Sequence, residues 1–205
     1  MLKTYKYEGK NAGECLNKCL DELKVTEEDI TFLENVTEAK LFKARKTEID
    51  VVLKQDIKSA IKEFLKEICK KMNIEANFEI TEKESGYNII IISESDNSIL
   101  IGKDGRTLNA LQLLLKQYIN NGNKFNIRVN VDVSNYKSRK MKNIEYEVKR
   151  AAKEVISTKI EVKLDPMNSY ERRLVHTIIG EFPELETESY GEGLERHVVI
   201  RYKKG

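Results

Sequence analysis

The run Ile101-Gly102-Lys103-Asp104-Gly105-Arg106 sets two glycines around two polar residues, between a strand-like stretch and an amphipathic helical pattern. That spacing suits one chemistry, the grip of a main-chain turn on a sugar-phosphate chain. Lacking Cβ atoms, Gly102 and Gly105 let the backbone approach a polynucleotide that side chains would fend off. The N–H groups opening the next helix can then face phosphate. Lys103 adds a point charge and Arg106 a second donor, while Ile101 and Leu108 are expected to line a groove for bases. Asp104 would repel a phosphate, so it is expected in the first turn of the following helix, where negative charge is favoured. The alternative is an ordinary strand-to-helix turn.

A second constellation is Glu171-Arg172-Arg173-Leu174-Val175-His176. Arg172 and His176 are four apart and share a helical face. Side by side, a guanidinium and an imidazole make a donor pair for a phosphate or a stacked base. The alternative is a surface helix whose arginine pairs with a glutamate and whose histidine is a bystander. Arg173 and Arg196 join the pair as candidate nucleic-acid contacts. Other chemistries find less support. A P-loop needs four residues between its glycines and a following Lys-Ser/Thr, which this glycine loop lacks. Cys15, Cys19 and Cys69 lie outside any CxxC pair and are expected to be buried thiols. Glu181, Glu184, Glu186, Glu188, Glu192 and Glu195 read as a solvated rim, so no metal or other cofactor is expected.

The elements that must position these residues follow from apolar periodicity. Strand-like Leu2 to Tyr7, a helix opened by Asn11-Ala12-Gly13, and β-rich runs at Asp29 to Val36 and Glu48 to Leu53 make a first module, residues 1–54. Between those runs, Lys40 to Lys46 is a basic segment around Phe42, either a partner site or a solvated connection. Residues 55–133 read as a helix to Lys71, strands at Ile74–Thr81 and Tyr87–Ser93, a short helical turn, the glycine loop, a helix to Asn120, and a strand from Phe125 to Val133. Residues 134–205 open with a long helix striped by Met141, Ile144, Val148, Ala151, Ala152 and Val155. A short strand at Ile160–Leu164, a helix at Tyr170–Gly180 and strands at Glu186–Tyr190 and His197–Tyr202 follow. The expected class is α+β, three small modules in series.

Composition agrees with a nucleic-acid partner without requiring one. The net charge over 205 residues is only +2, but residues 134–205 carry 15 basic and 12 acidic side chains. Within them Lys137, Arg139, Lys140, Lys142, Lys149, Arg150 and Lys153 face only Glu145 and Glu147, a basic face fit for phosphates. No apolar run approaches the ~20 residues of a membrane span, so no direct membrane insertion and a cytoplasmic location are expected.

The order α-β-β-α-GxxG-α-β resembles the type II KH fold, which clamps single-stranded nucleic acid at its GxxG. Asp165 to His176 and Thr187 to Ile200 resemble the small nucleic-acid-binding domain named for its Arg-x-x-x-His signature, here Arg172 and His176. Together with the N-terminal module, the whole chain is similar to the bacterial Jag family. That resemblance implies an RNA-binding protein linked to envelope biogenesis, cell elongation or division, and sporulation. It also implies a small single-KH protein partner and partners near the membrane, such as a YidC-type insertase. Two departures stand out: the longer charged linker common after the N-terminal module is missing, and Asp104 occupies a position where relatives often carry a basic residue.

Three readings compete: a binder of single-stranded RNA (or single-stranded DNA), a protein-protein adapter in which RNA is secondary, and an enzyme. The last is the weakest, because the candidate nucleophiles and acids form no cluster, and the chain is expected not to be an enzyme.

Overall fold

The computed structural model describes residues 2–37 and 46–203, so the basic segment expected at 40–46 lies outside the described residues except for Lys46. The class is α+β, with three small sheets and six helices among the described residues, in two compact units, Met1–Ser134 and Asn135–Gly205.

The first unit begins with β1 (Tyr5–Gly9), α1 (Ala12–Leu23), β2 (Ile30–Thr37) and β3 (Lys46–Leu53), an antiparallel sheet in the order β1-β3-β2. Asn11 caps α1 by accepting the Glu14 N–H at 2.8 Å. Cys15 and Cys19 pack fully buried against Ile49 and Val51, and burial pushes both thiols up, away from the reactive thiolate. Leu53 passes directly into α2 (Lys54–Lys71) with no intervening linker.

Then come β4 (Asn77–Lys83), β5 (Gly86–Ile92), α3 (Asn97–Ile101), α4 (Arg106–Asn120) and β6 (Val129–Val133). β4 pairs antiparallel with β5, and β6 pairs parallel to β5, with Ile89 opposite Val131. A parallel neighbour requires a crossover. The α3-turn-α4 segment is that crossover, which is why the glycine loop is held between two helices. Ile57, Ile61 and Leu65 of α2 are buried, as are Leu108, Leu111, Leu115 and Ile119 of α4.

The strand expected from Phe125 starts only at Val129. Asn126 has a φ of 48°, and the Asn120 side chain meets both backbone groups of Ile127, accepting its N–H at 2.6 Å and donating to its carbonyl at 2.9 Å. A side chain thus replaces the neighbouring strand.

The second unit is α5 (Tyr136–Thr158), β7 (Val162–Lys163), α6 (Ser169–Ile179), β8 (Leu185–Tyr190) and β9 (His197–Tyr202), with sheet order β7-β9-β8. Ile144, Val148, Ala151, Ala152 and Val155 of α5 join Val175, Ile179, Val198 and Ile200 in one core. No helix among the described residues is long and apolar enough to cross a membrane.

Candidate nucleic-acid interface

The glycine loop is a corner between α3 and α4. Gly102 terminates α3, its N–H donating to the Ser98 carbonyl at 2.8 Å, with φ 67° and ψ 178°. Glycine alone adopts that region readily. A Cβ at Gly102 would also meet Thr107 Oγ1 at 2.1 Å. Its first task is therefore internal: it lets the corner fold over Thr107. Gly105, at φ 82°, is buried, whereas Lys103, Asp104 and Arg106 are exposed and Ile101 and Gly102 half-buried.

Three expectations for this loop change. Asp104 does not sit in the first turn of α4, which starts two residues later; it holds φ 57° in a 3-10 turn spanning Lys103–Gly105. The Gly105 N–H donates to the Gly102 carbonyl and the Arg106 N–H to Lys103, so these amides are spent inside the corner rather than turned to phosphate. Leu108 is only 1 % exposed and belongs to the core, so it cannot line an open groove. Lys103 and Arg106 remain as exposed cations of the turn.

The second site is built on α6. Asn168 caps the helix by accepting the N–H groups of Tyr170 and Glu171, both at 3.0 Å, and Glu171 reaches back to the Asn168 N–H at 2.9 Å. The same carboxylate, buried in the interior, accepts a 2.7 Å ion pair from Lys140 that ties α6 to α5. This fixes the face that α6 presents to β8.

On that face Arg172 and His176 do not act as a matched donor pair. Arg172 Nη1 donates to the Met167 carbonyl at 2.8 Å rather than pairing with a glutamate. His176 lies between two hydroxyls, Nδ1 at 2.7 Å from Thr187 Oγ1 and Nε2 at 3.0 Å from Ser189 Oγ. Burial, and then the nearby Arg172 charge, hold the imidazole below the usual histidine range, so it is neutral at pH 7. A neutral ring donates from one nitrogen and accepts at the other, and a hydroxyl can serve either. His176 thus fastens α6 to β8.

Positive charge comes instead from arginines. Arg172, Arg173 and Arg196 converge with His176 and Ser189 on an open depression of about 450 Å³, rimmed by the hydroxyl residues Ser169 and Thr177. Three guanidiniums around polar hydroxyls can hold phosphate oxygens. Sequence reasoning missed Thr187 and Ser189. Their i, i+2 spacing in a strand, which puts both hydroxyls on one face, was the available sign. Glu188 is drawn to Arg201 Nη1 at 3.3 Å, and among the described residues no group of three or more His, Cys, Asp or Glu could hold a metal ion.

With this geometry described, comparison with known proteins gives the lineage. Residues 58–133 match the model of the KhpA/KhpB KH domain, and residues 142–202 match the model of the Arg-x-x-x-His domain. The chain is 33% identical over 202 residues to a protein of Clostridium symbiosum described as RNA-binding protein KhpB, spanning 95% of this chain and 90% of the relative. A protein of the same description from Bacillus subtilis is 29% identical over 202 residues, spanning 96% of this chain and 97% of the relative. Another, from Lactiplantibacillus plantarum, is 32% identical over 145 residues, 71% of this chain but 45% of that protein. The KH loop, the arginine-lined face of the Arg-x-x-x-His domain and near-full-length similarity agree: the chain belongs to the KhpB family, also called Jag.

Proposed function

We propose that this chain binds single-stranded RNA through its KH corner and the arginine cluster of its Arg-x-x-x-His domain, and thereby regulates envelope biogenesis, cell elongation or division, or sporulation. The observation that carries the reading is the corner at residues 102–105. Its main chain is shaped by two left-handed glycines and it extends Lys103 and Arg106 into solvent at the head of α4. The arginine-lined depression supports a second contact, and the relatives' description as RNA-binding proteins supports the ligand class. In this reading Ile101, Gly102, Asp104 and Gly105 shape the KH corner, Lys103 and Arg106 meet phosphate, and Arg172, Arg173 and Arg196 hold the adjoining backbone. His176 positions the arginines and does not touch RNA.

The test is a titration of labelled single-stranded RNA at several salt concentrations. Removing one cation that neutralises a phosphate should flatten the logarithmic salt dependence by about 0.7 for a single strand. Replacing Lys103 and Arg106 with Ala should therefore weaken binding and lower the slope by about 1.4. Unchanged affinity and slope would remove the KH corner from the binding surface. Single-stranded DNA of the same sequence asks whether the 2′-hydroxyl is read.

An adapter role is the second reading. Ile99, Leu113 and Leu114 of the KH segment expose 53%, 56% and 50% of their surface, apolar area a protein partner could cover. A Leu113→Asn, Leu114→Asn variant that keeps RNA affinity yet no longer pairs with the small single-KH partner would favour it.

A further inference from the structure

Apart from the glycine corner and the arginine depression, α5 carries a surface of its own. Its buried stripe, Ile144, Val148, Ala151, Ala152 and Val155, faces the core. At about 100° per residue, Tyr146 lies diametrically opposite the centre of that stripe, at the helix crest. Its ring is 70% exposed. Within about 60° of it around the helix lie Arg139, Lys142, Lys149, Arg150 and Lys153, all exposed. Lys149 is bound to Glu145 at 2.6 Å. For Arg139, Lys142, Arg150 and Lys153, no carboxylate lies within ion-pairing distance among the described residues. From Arg139 to Lys153 the stripe runs about 21 Å along the axis, at 1.5 Å per residue.

A solvated charged face does not need an aromatic ring at its crest. A tyrosine could bury its ring in the core, as Tyr202 partly does. Tyr146 instead leaves its ring in water amid cations, and that pairing matches how single strands are held: backbone phosphates on a basic track and bases stacked on an aromatic face. A lipid surface fits less well, because membrane-binding helices insert an apolar face. The apolar face of α5 is already buried in the core.

We propose that the outer face of α5 is a third single-strand subsite, in which Tyr146 stacks a nucleobase while Arg139, Lys142, Arg150 and Lys153 hold the flanking phosphates. It rests on the RNA-binding reading above and extends the bound strand beyond the arginine depression. Stacking tolerates any base, so the subsite adds affinity and length of footprint without sequence preference.

The experiment titrates fluorescein-labelled oligoadenylate into the full chain at graded salt, in parallel with phosphatidylserine vesicles. Tyr146→Ala should weaken RNA binding about tenfold with an unchanged salt slope, since stacking is uncharged, and Tyr146→Phe should bind as the parent does. Replacing Arg139, Lys142, Arg150 and Lys153 with Gln should lower the slope by about 2 to 3. These residues are exposed and the replacements are good helix formers, so circular dichroism should be unchanged. Wild-type affinity in Tyr146→Ala overturns the stacking role, and an unchanged slope in the glutamine variant overturns the phosphate track. If Arg172→Ala and Arg173→Ala still impair binding in that case, RNA binding at the depression survives and only the α5 subsite falls. Loss of vesicle binding in these α5 variants, with RNA binding intact, would also overturn it.

Discussion

Substituting Gly102 with alanine separates two reasons for a glycine in the KH corner. If the glycine exists to admit a phosphate backbone, Gly102→Ala should fold normally and bind RNA weakly. The structure predicts a folding defect instead. Holding a non-glycine residue at φ 67° and ψ 178° costs about 1–3 kcal/mol. A Cβ placed 2.1 Å from Thr107 Oγ1 and 2.9 Å from Thr107 Cβ adds an overpacking cost of about 1–3 kcal/mol. The combined destabilisation is about 2–6 kcal/mol, a large share of the stability of a small domain. Thr107→Ala removes the nearest atom but leaves a Cβ and the backbone nitrogen at 3.0 Å, so the double variant should recover only the steric part, about 1 kcal/mol. Urea unfolding followed by circular dichroism measures the cost, and hydrogen exchange across residues 97–120 locates it. A Gly102→Ala protein within about 0.5 kcal/mol of wild type that nonetheless binds RNA weakly would refute the internal role. For the same reason Gly102→Asp is a poor probe of RNA contact, because the corner it tests would no longer be intact.

Other consequences can be checked on the second unit. Lys140→Ala strands the buried Glu171 carboxylate and should destabilise the unit by about 3 kcal/mol, whereas Lys149→Ala, which breaks the exposed pair with Glu145, should cost under about 1 kcal/mol. Thermal melts of the two variants side by side decide it, and equal losses would mean the Glu171 pair is not effectively buried. His176 carries a folded pKa below that of the unfolded chain, so the unfolded state takes up a proton first. Its contribution to stability is full above about pH 6.5 and is lost as pH falls through the lowered folded value. Melting temperature against pH should therefore drop more steeply on the acid side for wild type than for His176→Gln, and parallel curves would contradict a neutral, hydroxyl-bridged ring. RNA affinity compared at pH 7.5 and 6.5 should change little through His176, because in this reading the ring adds no charge at either pH; a marked gain on acidification that disappears in His176→Gln would make it a phosphate contact.

Much of the architecture could be read from residue types because it rests on local rules. The 3.6-residue recurrence of Ile57, Ile61 and Leu65 and of Leu108, Leu111 and Leu115 marked helices whose buried faces the structure reproduces. Asn11 and Asn168 announced helix starts through their ability to accept orphan N–H groups. The glycine corner was visible because glycine pairs at that spacing have few other uses. Strand limits were less legible: nothing in Phe125 to Arg128 says that Asn120, several residues earlier, would satisfy Ile127 and keep β6 from starting there.

The amino-acid order by itself determined the element types, the position of the glycine corner and the identity of the cationic side chains, since backbone freedom, periodicity and charge are properties of single residues and their spacing. Tertiary structure decided what those side chains are free to do. Arg172 and His176 share a helical face, yet contact with Met167, Thr187 and Ser189, residues up to 13 positions away, turns the histidine into a neutral fastener and leaves the charge to the arginines. Likewise the basic residues of α5 sort into a buried anchor, Lys140, and an exposed track around Tyr146 only once α6 packs beneath them. Whether a polar group meets a ligand or a neighbour depends on what the fold brings within about 3 Å, and linear spacing does not encode that distance.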